Sequence, residues 1–127
     1  MADRLLVIAL GGNAIKQAHE AGTTDEQFRN VDLTAHQIAN IAKEGYRIVI
    51  THGNGPQAGA LLIQQEQAKS LVPAQTLAMC GAMTQGQIGW MMQNRLSYYL
   101  KQLRLDIPVC TIVTQVVVSR DDPDFAD

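Results

Sequence analysis

Apolar positions along this 127-residue chain fall into short continuous runs and longer periodic ones. Leu5–Leu10 (LLVIAL) is continuously apolar and stops at Gly11. That pattern predicts a strand buried on both faces, as in a parallel sheet. Residues 46–51 (YRIVIT) read as a second strand. Between them the period changes. Val31, Ala35, Ile38, Ala39 and Ala42 fall on one helical stripe, with Asp32, His36, Asn40 and Lys43 on the other side. Thr23 with Glu26, or Thr24 with Gln27, has capping-box spacing ahead of that helix, and Gly45 is placed to end it. Strand, helix, strand predicts a right-handed parallel crossover.

Beyond the second strand, Pro56 suits the first turn of a helix, where its missing N–H costs nothing. This helix should end near Ser70, before Pro73. A long helix is expected from about Thr76 to Leu103. It carries two apolar stripes: Leu77, Cys80, Thr84, Ile88, Met91 and Met92 on one, and Met79, Met83, Gly86 and Trp90 on another. A helix apolar on two sides is covered from two directions, by a further layer or by another subunit. Pro108 opens an extended run, PVCTIVTQVVV, rich in β-branched residues. Its polar pair, Thr114 and Gln115, suggests a contact near the ends of the strands. The closing SRDDPDFAD reads as an acidic loop leaving the domain.

Both strands run into glycine loops. Gly11, Gly12 and Asn13 follow the first; His52, Gly53, Asn54, Gly55 and Pro56 follow the second. In open α/β sheets, ligands collect at the carboxyl ends of strands. Amides at a helix start are unpaired and lie at the positive end of its dipole. Glycine permits positive φ and close approach of a ligand, and asparagine tolerates the left-handed region while its amide can donate. Two such loops could cradle the oxygens of a phosphoryl group moving between bound partners. A plain turn explains either loop alone; their repetition in the same context favours a ligand. Neither loop is a Walker A motif or a G-x-G-x-x-G fingerprint.

Composition narrows the field. With 46% apolar residues the chain should fold, and its length suits one domain. A net charge of -2 and scattered lysines and arginines argue against a nucleic-acid binder. Local dipoles would therefore have to hold an anion. Cys80 and Cys110 are far apart in apolar stretches and read as two buried, reduced thiols, with no zinc spacing. The six-residue apolar run after Asp3 and Arg4 is too short for a signal peptide or a membrane span, so a soluble, cytoplasmic protein is expected.

Four segments together, VIALGGNAI, THGNGPQAG, GAMTQGQIGW and VTQVVVS, resemble carbamate kinase, a branch of the amino-acid kinase family, in order and spacing. The resemblance runs from Leu5 to Phe125. It implies an α/β fold, a three-layer αβα sandwich on a mainly parallel sheet, and a homodimer. It implies magnesium-dependent phosphoryl transfer between ATP and carbamate, with ATP made from ADP and carbamoyl phosphate in the usual direction. By resemblance, Gly11, Gly12 and Asn13 are the catalytic loop beside the phosphoryl group in flight. His52, Gly53, Asn54 and Gly55, with Met83, Thr84 and Gln85, lie on the substrate side. The stripe of Met79, Met83 and Trp90 corresponds to the family's dimer face.

Length is where the sequence departs from the family, whose members are more than twice as long and carry further lysines and an aspartate. Residues 1–127 therefore read as the N-terminal part of one amino-acid kinase domain, without the nucleotide-binding part, and inactive alone. Two other readings stay open: another amino-acid kinase acting on a small carboxylate or nucleotide monophosphate, and a non-catalytic chain that binds anions or pairs with longer subunits. Lys16 and Lys43, the lysines nearest the loops, read as solvated, as do His19 and His36. His52 can orient or protonate substrate, or simply cap the turn. Asp121, Asp122 and Asp124 read as a solvated loop rather than a metal site. The methionines read as packing.

Overall fold

The computed structural model describes residues 4–125. The chain forms β1 (Leu5–Leu10), a 3₁₀ turn (Gly12–Ala14), α1 (Thr24–Lys43), β2 (Arg47–His52), α2 (Gly55–Ala68), α3 (Leu77–Gln102) and a last 3₁₀ turn (Pro123–Phe125). The strands pair in parallel, from Leu5 opposite Arg47 to Leu10 opposite His52. Their carboxyl ends therefore finish level with each other.

The capping box of α1 is the first of the two candidates. Thr23 Oγ1 accepts the Glu26 amide at 3.3 Å, and the Glu26 carboxylate accepts the amides of Thr23 and Gly22, both at 2.8 Å. The Thr23 amide leads the hydrogen bonds that hold the Glu26 carboxyl below its ordinary value. At the other end Gly45 takes φ +88°, and its amide closes on the Ala42 carbonyl at 2.9 Å. All five residues of the apolar stripe of α1 are buried. They meet Ile88, Met91, Met92, Leu96 and Leu100 of α3, while Ile8, Leu10, Ile48 and Ile50 close the cluster from the sheet. Full burial of a side chain such as Ile88 contributes about 1.5–3 kcal/mol.

The polar side of α1 also faces α3. Asp32 accepts Arg95 Nε at 2.5 Å and the Tyr99 hydroxyl at 2.7 Å. Partial desolvation acts to raise the Asp32 carboxyl, but the Tyr99 and Arg95 hydrogen bonds and the Arg95 charge outweigh it and hold it below its ordinary value. The same contacts hold the Arg95 guanidinium against losing its proton, despite partial burial.

Several expectations are corrected. Neither strand is buried on both faces: burial alternates along each, because helices α1 and α3 cover one side. Leu5 and Val7 are 62% and 60% exposed on the other. Among the described residues the expected sandwich is thus represented by its sheet and one helical layer. The segment 108–118 forms no strand, since it has no ladder partner among the described residues. Cys110 on that segment is exposed, whereas Cys80 is buried. Leu77, in the first turn of α3, is exposed rather than part of the inner stripe. The second strand begins one residue later than the pattern suggested, and α2 ends at Ala68.

Candidate active site

The last rung of the sheet, Leu10 beside His52, sets the two glycine loops next to each other at one end of the strands. Gly11 leaves β1 in extended conformation, φ -69° and ψ 167°. The chain then tightens into the 3₁₀ turn, with the Ala14 amide donating to Gly11 O at 3.0 Å and the Lys16 amide to Gly12 O at 2.9 Å. This turn is anchored from behind. Ile15 is buried in the core, and Asn30 Nδ2 donates to its carbonyl at 3.2 Å and to Glu20 Oε2 at 2.7 Å.

In the second loop, His52 Nδ1 stands 3.2 Å from the Gly53 carbonyl. Asn54 is the N-cap residue of α2, but its side chain does not cap. Instead Asn54 Nδ2 donates to Gly81 O at 3.1 Å and to Thr84 Oγ1 at 2.9 Å. Its side-chain amide is thereby committed to α3, which corrects the expectation that it is free for a ligand. Pro56 stands in the first turn of α2, as expected. Gln57, buried behind it, donates to Gln27 Oε1 at 3.0 Å and ties the start of α2 to the start of α1.

Among the described residues, no hydrogen bond uses the amides of Gly12, Asn13, Asn54 or Gly55. A Cβ built on Gly12 or Gly53 meets nothing within 4 Å, and neither takes positive φ. Turn geometry and packing therefore do not require glycine there. Open space lies above the backbone at both positions.

Of the residues singled out on α3, Thr84 is buried and joins the second loop through Asn54. Gln85 holds the extended segment: its Oε1 accepts the Thr114 amide at 2.8 Å, and its Nε2 donates to the Thr114 carbonyl at 3.3 Å. Thr114 thus makes its contact with a helix side chain rather than as the end of a strand. Met83 is exposed on the outer stripe with Met79 and Trp90. Lys16 is half-buried rather than solvated, its stem lying so close to Gly22 that a Cβ there would sit 2.7 Å from Lys16 Cε. Lys43 is exposed at the end of α1. Two features were missed by sequence reasoning. One is the Asn54 bond to α3, which no local pattern signals. The other is the Gln85 clamp, for which the polar pair 114–115 was the only sign.

A sequence profile of the amino acid kinase family matches residues 4–123. The chain belongs to the amino acid kinase family. Among its relatives in that family, carbamate kinase from Thermococcus kodakarensis is 51% identical over 123 residues, covering 94% of this chain and 39% of the relative. Carbamate kinase from Giardia intestinalis is 41% identical, covering 99% of this chain and 40% of its own. Among solved structures, a carbamate kinase from Giardia superposes with TM-score 0.94 at 42% identity, over 100% of this chain and 43% of that one. Another, from Giardia lamblia and bound to AMP-PNP, superposes with TM-score 0.91. The chain thus spans about two fifths of the length of the carbamate kinases it matches. The α/β fold with a parallel sheet is that of the family.

Among the described residues, no group of three His, Cys, Asp or Glu is placed to hold a metal ion. The two loops offer neutral amides. By themselves these loop residues do not fit a resident magnesium ion. No helix among the described residues is long and apolar enough to cross a membrane.

Proposed function

We propose that residues 1–127 are part of the single catalytic domain of a carbamate kinase and supply its phosphoryl cradle, with ATP, ADP, carbamate and carbamoyl phosphate as substrates. The observation that carries this reading is the level finish of β1 and β2, which sets unpaired amides of both loops side by side. The Gly12 and Asn13 amides, with Gly11 giving room, hold oxygens of the phosphoryl group in flight. The Asn54 and Gly55 amides, with His52 and Gly53 beside them, hold the carbamoyl end at the positive pole of α2. Thr84 positions this loop through Asn54. In the ATP-forming direction, the bond between phosphorus and the carbamate oxygen breaks. A bond to the terminal phosphate oxygen of ADP forms, and carbamate leaves as the anion. Donors already aimed at that charge stabilise it without reorganising. The homodimer would use the outer stripe of α3.

The 127-residue chain is expected to bind carbamoyl phosphate without turning it over. The aliphatic stem of Lys16 packs beside Gly22 and Lys43 stands in the last turn of α1, and in this reading neither neutralises the transferred group. A coupled assay for ATP formation checks this; turnover at or above about 10 s⁻¹ overturns it. Titration calorimetry with carbamoyl phosphate checks the cradle. Gly53→Val should leave the circular dichroism spectrum unchanged, because its Cβ meets open space, and should weaken binding at least tenfold. Equal binding by both proteins overturns the assignment.

A further inference from the structure

After α3 the chain turns at Arg104, φ 57°, and retraces the helix. The Leu105 amide bonds to Leu100 O at 2.9 Å, and Leu105 and Val109 pack against the core. Thr111 Oγ1 then donates to Gln93 Oε1 at 3.1 Å. One turn nearer the start of the helix, Gly89 forms a notch. A Cβ on it would stand 2.1 Å from Thr111 Cγ2 and 3.1 Å from Thr111 Cβ, far inside contact distance. Four residues earlier Gln85 grips Thr114 by its backbone N–H and C=O. A side-chain amide offers one donor and one acceptor, as a neighbouring strand does. It supplies the pairing that the segment lacks from any strand among the described residues.

This track ends where the second glycine loop is fastened. Thr84 receives Asn54 from the loop, and the next residue, Gln85, receives Thr114. A single turn of α3 thus carries both fastenings. We propose that Gln85 is a positioning residue. With the Gly89 notch, it registers residues 111–114 against the same helical turn that holds Asn54, and so sets the relation between the extended segment and the candidate anion site. The anion part of this inference rests on the function proposed above.

The test uses the full chain, with amide exchange and nitrogen–proton spectra as readouts that need no ligand. Gln85→Met keeps length and helix preference but cannot pair with Thr114. The Thr114 amide should exchange at least tenfold faster, and the Gly53, Gly55 and Asn54 side-chain signals should shift. Gly89→Ala favours the helix itself but expels Thr111, so it should reproduce these changes. Gly89→Ala with Thr111→Gly should reverse them. Unchanged Thr114 exchange, or unmoved loop signals, overturns the inference. Carbamoyl phosphate supplies the second arm. Binding weakened about tenfold by Gln85→Met, with the spectrum otherwise native, supports it; unchanged binding with a released segment overturns the positioning role. If the unsubstituted chain binds no carbamoyl phosphate, the proposed function fails, while the exchange data still decide the coupling.

Discussion

Asn54 leaves its backbone amide without a hydrogen-bond partner among the described residues, while its side-chain Nδ2 is committed to α3. The side-chain part can be isolated by Asn54→Ala. Thr84 Oγ1 keeps a partner in the Cys80 carbonyl at 2.9 Å, so no buried hydroxyl is orphaned. The cost is then the net worth of two hydrogen bonds, about 1–2 kcal/mol, a fall of several degrees in melting temperature. Calorimetric melting checks it; a melting point equal to that of the unsubstituted protein contradicts the fastening. Thr23→Ala provides a second measurement of the same kind. It removes the acceptor for the Glu26 amide and should cost about 1 kcal/mol. The glycines behave differently. At Gly12 and Gly53 a side chain would strain nothing within the chain, so substitution there should affect binding more than folding.

Helices α1 and α3 are joined by a greasy stripe and, beside it, by Asp32, Arg95 and Tyr99. The carboxyl of Asp32 sits below its ordinary value when folded. Its contribution to stability is therefore full above the unfolded value of 3.8 and is lost as pH falls through the lower, folded value. His36 faces the same cluster, its ring 4.9 Å from that of Tyr99. Asp32→Asn should be about 1 kcal/mol less stable than the parent near neutral pH, since the site is only partly buried. Urea midpoints at about pH 7 and about pH 3 should show that gap closing on acidification; a gap that stays constant removes Asp32 from the account. This seam also shows what the sequence could carry. The stripe of α1, its Thr23 cap and its Gly45 stop were legible because each is a local spacing. The position of Asp32 was not, since a polar residue on a helix looks solvated until a second helix faces it. The segment 108–118 misled for a similar reason. β-branched residues describe a chain that can be a strand, but a strand exists only with a ladder partner. The site divides along the same line. Its two loops could be read from glycine and asparagine after apolar runs, whereas Asn54 to Thr84 and Gln85 to Thr114 join residues about thirty apart in the chain.

At the scale of the whole molecule, apolar surface is unevenly covered. One side of the sheet is packed under α1 and α3; the other presents Leu5, Val7 and Val49 to water. Nearby in kind, if not in element, Ile112 and Val116, Val117 and Val118 lie exposed on an unpaired extended segment. A two-stranded sheet also leaves its outer edges without partners among the described residues. Contiguous apolar surface and bare edges are what drive one chain onto another. The 127-residue chain is accordingly expected to associate with itself, through this face rather than through its charged helical surfaces. Sedimentation velocity should show a weight-average mass that climbs above 13.9 kDa with concentration. Val7→Lys and Val49→Lys place charges at outward positions of the strands, so the fold should survive while association falls. If the parent sediments as a monomer at high concentration, the bare face is tolerated and the argument fails. If association persists in both variants but falls with Val117→Lys, the extended segment and not the sheet face is what recruits the second copy.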